Sequence, residues 1–84
     1  SECGGGGAIH IRLSAADRSL LDRVRQILGA CPGDRDVILH VADGGRPRVF
    51  RLPEQYRASW SEDLRRRLGA VVDDAAAVWC AAGT

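Results

Sequence analysis

Apolar and polar residues alternate along Ala8-Ile9-His10-Ile11-Arg12-Leu13, the period of two that lets a strand bury one face and wet the other. The spacing turns Ile9, Ile11 and Leu13 inward and His10 and Arg12 outward. Beyond it the period lengthens: Leu20, Leu21, Val24, Ile27 and Leu28 share one helical stripe. Ser14-Ala15-Ala16-Asp17 reads as a capping box at the start of this helix, and Cys31-Pro32-Gly33 stops it, because proline cannot continue a helix. A second strand is predicted over 36–43, with Val37, Leu39 and Val41 on one face. Gly44-Gly45 then supplies hairpin chemistry, and a third strand returns over 46–52. Ser59-Trp60-Ser61-Glu62 repeats the capping pattern and opens a short helix through Trp60, Leu64 and Leu68, which Gly69 is suited to close. Residues 75–81 complete the pattern as a strand, favoured by Val78, Trp79 and Cys80 and weakened by their alanine neighbours.

The order β-α-β-β-α-β predicts an α+β fold, a ferredoxin-like sandwich in which two helices cover one face of a four-stranded antiparallel sheet. A version with the last strand frayed is the alternative. Ile9, Ile11, Leu13, Leu20, Leu21, Val24, Ile27, Leu28, Val37, Leu39, Val41, Phe50, Leu52, Leu64 and Leu68 are expected to form one core. Residues 8–84 make a single small domain, and residues 1–7, ending in four glycines, read as a flexible linker or an expression remnant.

Eighty-four residues support one hydrophobic core and no more. Twelve arginines against eleven acids leave a formal charge of +1, so no bulk field drives nucleic-acid binding and partners must be recognised locally. No stretch approaches the roughly 20 apolar residues of a membrane span, and no leader pattern precedes the first strand. Three cysteines, Cys3, Cys31 and Cys80, lack CxxC spacing, which argues against a zinc site or a disulfide framework and fits reduced thiols in a cytoplasm.

Candidate chemistry is sparse. His10 and His40 stand on different strands without cysteine or acid at ligand spacing, so they read as surface histidines of an open sheet face. Cys31 sits where the negative end of a helix dipole opposes thiolate formation. Arg65-Arg66-Arg67 spreads around a helix and reads as a solvated face. Arg46, Arg48 and Arg51 decorate the third strand, yet Phe50 is its only aromatic, too few for RNA recognition by base stacking. The glycine run lacks the Gly-Lys-Ser/Thr ending of a phosphate loop. The acyl phosphatase chemistry this topology can host needs an asparagine, and the chain has none. Asp73 and Asp74 read as turn residues, not as part of an acid cluster able to hold two metal ions. The sequence therefore predicts no catalytic residue, metal or cofactor. Its candidate partner-binding surface is the sheet face opposite the helices: His10, Arg12, His40, Arg51 and Trp79, with residues 79–84 beside it.

The run from Leu20 to Val41, with its leucine-spaced helix, Pro32-Gly33-Asp34 turn and strand opening on Val37, resembles the extreme C-terminal region of the bacterial DNA polymerase III alpha subunit. Ser59 to Gly69 is similar to that region's second helix, a serine-acid start followed by spaced leucines and a closing Leu-Gly. The likeness extends from Ile9 to about Val78, and Asp36 stands where the family often has proline. It implies a non-catalytic, monomeric interaction domain that contacts the tau subunit of the clamp loader. The catalytic acids and metals of the parent polymerase, a nucleotidyltransferase of DNA replication, would lie far upstream. Two other classes compete: a small-ligand regulatory domain of the same topology, usually a symmetric dimer, and a weak single-stranded nucleic-acid-binding module.

Overall fold

A computed structural model describes residues 7–14, 17–42 and 45–81. Residues 1–6 of the expected linker 1–7, residues 15–16 of the expected capping box, the last residue of the expected second strand (43), the first of the expected turn (44) and the tail 82–84 lie outside the described residues. The elements run β1 (Ala8–Leu13), α1 (Arg18–Ala30), β2 (Pro32–Arg35), β3 (Val37–Ala42), β4 (Pro47–Arg51), α2 (Glu62–Val72) and β5 (Val78–Ala81). Short 3-10 turns at Glu54–Tyr56 and Ala75–Ala77 lead towards α2 and into β5.

The alternation in β1 and β3 does what its period requires. Ile9, Ile11, Leu13, Val37, Leu39 and Val41 are buried, and they join Val24 and Leu28 of α1 and Leu64 and Leu68 of α2 in one core. Both helices therefore lie on the same face of the sheet. Leu20, Leu21, Ile27 and Leu52 pack at the rim of this core, and Ala58, Ala77 and Val78 complete it. Phe50, expected inside, is 46% exposed.

The reason is strand order. The four-stranded sheet runs β4-β3-β1-β5 and is mixed, not antiparallel as expected. β1 pairs in parallel with β3, Ile9 opposite Val37 and Leu13 opposite Val41, whereas β4 and β5 add antiparallel at the two edges. In the split β-α-β arrangement of a ferredoxin-like fold another strand separates the two that α1 connects; here they are neighbours. The near-continuous apolar run Val37-Ile38-Leu39 suits an interior strand, while Pro47 and three flanking or internal charges suit an edge. At the edge, β4 carries Phe50 beyond the cover of α1. A cleft of about 300 Å³ opens there, lined by Leu21, Arg25, Leu39, Val41, Phe50 and Leu52.

Helix ends also moved from their expected residues. The cap of α1 is Asp17, whose carboxylate accepts from the Ser19 amide at 2.9 Å, not Ser14. The cap of α2 is Ser61, which accepts from Leu64 at 3.1 Å. Ser59 is occupied elsewhere: its hydroxyl donates to the Pro32 carbonyl at 2.8 Å and its amide to Cys31 at 3.0 Å. Helix α1 does stop at Cys31-Pro32-Gly33 as expected, its C-cap being Cys31, and these bonds, with bridges from Pro32 and Arg35 to Ala58, make a short strand, β2, directly after the stop. Trp60 consequently precedes α2 and packs partly buried on the core. Gly69 does not end α2, because it is buried within it; the helix runs on to Val72 and closes at Asp73, whose φ of 59° is left-handed. The last strand starts at Val78, since the preceding alanines wind into a 3-10 turn.

Candidate sheet-face site

Facing away from the helices, the even positions of β1 and β3 present His10, Arg12, Ile38 and His40. Cross-strand register sets Trp79 of β5 opposite His10, and Arg51 and Val49 of β4 opposite Ile38 and His40. Among the described residues no acid occupies an outward strand position on this face.

Parallel pairing places His10 beside Ile38 and Arg12 beside His40, so the two histidines are diagonal neighbours. Their rings close the gap: His10 Nδ1 and His40 Nε2 share a 2.8 Å hydrogen bond, one nitrogen donating and the other accepting. The Trp79 indole stacks on His10, with centroids 5.2 Å apart and planes within 7°, and lies 5.3 Å from the His40 ring. The Arg12 guanidinium sits 5.9 Å from the indole centroid, within cation–π range. Partial burial, and after it the neighbouring His40 charge, holds the His10 imidazolium below its ordinary range. The result is a cluster of three half-buried aromatic rings with the exposed Arg12 guanidinium beside it.

Four of the five anticipated partner-binding residues thus converge, and Arg51 does not. It reaches 4.0 Å from Asp36 at the end of the sheet, where Asp36 also accepts a 2.8 Å hydrogen bond from Arg57. That bond, with the Asp36 charge, raises the Arg57 pKa. Sequence patterning did not bring out this Arg51-Asp36-Arg57 group, because Arg57 lies outside any regular element. Along α2, Arg65 pairs with Glu62, while Arg66 and Arg67 reach Asp63 at 3.3 and 2.9 Å, as a solvated helix face would. Cys31 is a free thiol, but Cys80 is disulfide-bonded, which departs from the expectation of reduced thiols throughout. Among the described residues no group of three or more His, Cys, Asp or Glu side chains is placed to hold a metal ion, and no helix is long and apolar enough to cross a membrane.

The fold and this surface define a small mixed-sheet α+β domain with a cationic, aromatic sheet face. No family model, curated protein or solved structure matches the chain.

Proposed function

We propose that the domain is a non-catalytic interaction module that receives an acidic, extended segment of a partner protein on the open sheet face. One observation carries this reading: Arg12, His10, His40 and Trp79 meet on a face whose outward strand positions hold no acid among the described residues. Arginine and tryptophan concentrate binding energy in protein interfaces, and a surface of one sign selects a partner of the other. A nucleic-acid reading is weaker, because base stacking needs free aromatic faces and the indole is already stacked on His10. The resemblance to the polymerase III alpha C-terminal region makes the tau subunit of the clamp loader the first partner to test, and a replication complex the setting.

The test is calorimetric titration of the whole chain with tau, comparing Arg12→Ala, Trp79→Ala and Arg51→Ala, with circular dichroism confirming the fold of each. Arg12→Ala and Trp79→Ala should each weaken binding by about tenfold or more, as interface hot spots do. Arg51→Ala, already engaged by Asp36, should change it least. Parent-like binding by both Arg12→Ala and Trp79→Ala would exclude the sheet face, and salt-sensitive binding of single-stranded DNA without tau binding would favour the nucleic-acid reading.

A further inference from the structure

The contact between His10 and His40 has a chemistry of its own, which does not depend on the partner reading. In an N–H···N bond the donor's proton lies between two nitrogens, each of which in its deprotonated form offers a lone pair to that gap. A cation that accepts two ligands in line can take the proton's place when the donor ring changes tautomer, its proton passing through solvent to its other nitrogen, so that both imidazoles stay neutral and no proton is lost overall. From this we infer that His10 Nδ1 and His40 Nε2 form a two-coordinate site for a soft monovalent d10 cation, the Cu(I) and Ag(I) class.

Three features select that class. No third His, Cys, Asp or Glu among the described residues completes the tetrahedral set that zinc prefers. Charge points the same way: with Arg12 beside the cluster and no acid at the outward strand positions, nothing there balances a second positive charge, so a monovalent ion is favoured over a divalent one. The third feature is Trp79. The His10, His40 and Trp79 centroids form a nearly equilateral triangle with sides of 5.0, 5.2 and 5.3 Å. A cation seated between the imidazoles is therefore nearer the indole centroid than either ring is, inside the roughly 6 Å range of cation–π attraction. With metal–nitrogen bonds of roughly 2 Å, a linear site needs the nitrogens to part to about 4 Å. The histidines are diagonal neighbours on an open face and only half buried, so side-chain rotation can supply that movement without shifting a strand.

Silver ion is the probe, because it has the same coordination preference without redox chemistry. The whole chain carrying Cys31→Ser, which removes the free thiol, is titrated with silver nitrate in a buffer without chloride or reductant while imidazole ¹⁵N resonances are followed. The inference expects His10 Nδ1 and His40 Nε2 to shift together and saturate at one equivalent. Replacing either ring, in His10→Gln or His40→Gln, should weaken binding by at least about tenfold, since the second ligand acts at high effective concentration. Trp79→Leu should weaken it about two- to fivefold and leave the imidazole shifts in place. Imidazole nitrogens unmoved at one equivalent, or two rings titrating independently, would overturn the site, as would tighter binding of Zn²⁺ than of Ag⁺. The ¹⁵N measurement needs neither histidine replaced, so it decides the matter even if a variant fails to fold.

Discussion

Single side chains carry unequal shares of this domain. Leu28 is fully buried where α1 meets the sheet, so Leu28→Ala removes apolar contacts and leaves a cavity that only partly relaxes. The expected cost is about 2 to 5 kcal/mol, read from urea denaturation, and it threatens the fold of so small a domain. His10 acts through its proton. Burial and the His40 charge place its folded-state pKa below the ordinary 6.5, so on acidification the unfolded chain takes up a proton that the folded one resists. The groups around it are His40, Trp79 and Arg12, none of which stabilises an added positive charge as a carboxylate would. Stability should therefore hold above about pH 6.5 and fall as the pH drops below it, levelling off under the folded-state pKa. Thermal melts at about pH 7.5 and pH 5.5 should show this fall, and His10→Gln should flatten it; an equal fall in the variant would assign the effect to other groups.

Elements explain two glycines of opposite consequence. A Cβ at Gly33 in β2 would collide with the backbone of Ala58 and Ser59, which pair closely with that strand. Gly33→Ala should therefore lower the melting temperature, and loosening of Ser59 from Cys31 and Pro32 should appear as faster amide exchange there. By contrast a Cβ at Gly29, in the last turn of α1, meets nothing within 4 Å. Gly29→Ala should stabilise the domain by about 0.5 to 1 kcal/mol by reducing the freedom of the unfolded chain. A melting temperature that rises for Gly33→Ala, or falls for Gly29→Ala, would contradict these packings.

At the scale of the whole molecule, the two helices close one side of the sheet and leave the other uncovered. Val49 and Phe50, both on β4, are the exposed large hydrophobics among the described residues, at 62% and 46%. Two such residues on one short edge strand fall well below the ~1,000 Å² that a stable interface buries. The chain should accordingly sediment as a monomer across a range of concentrations. A dimer that Phe50→Arg dissociates would instead place self-association at β4.

Periodicity alone settles much of this protein, because alternation and helical stripes depend only on which positions along one segment must be dry. The inward residues of β1 and β3, the stripe of α1 with Val24 and Leu28, and the core role of Leu64 and Leu68 were all legible from spacing. So was the outward assignment of His10, Arg12 and His40, each of which followed from strand parity, whereas Trp79 is fixed there by its register opposite His10. Strand order was not legible, since period two is identical in parallel and antiparallel pairs and in interior and edge strands. It decided that β1 and β3 are parallel neighbours, that β4 stands at the edge, and hence that Phe50 is exposed. Tertiary pairing likewise drew Ser59 into contact with β2 and left the cap to Ser61, and it pulled Arg51 towards Asp36. The 2.8 Å meeting of His10 and His40 belongs to the same category: parity placed both on one face, but only the parallel register between β1 and β3 made them neighbours.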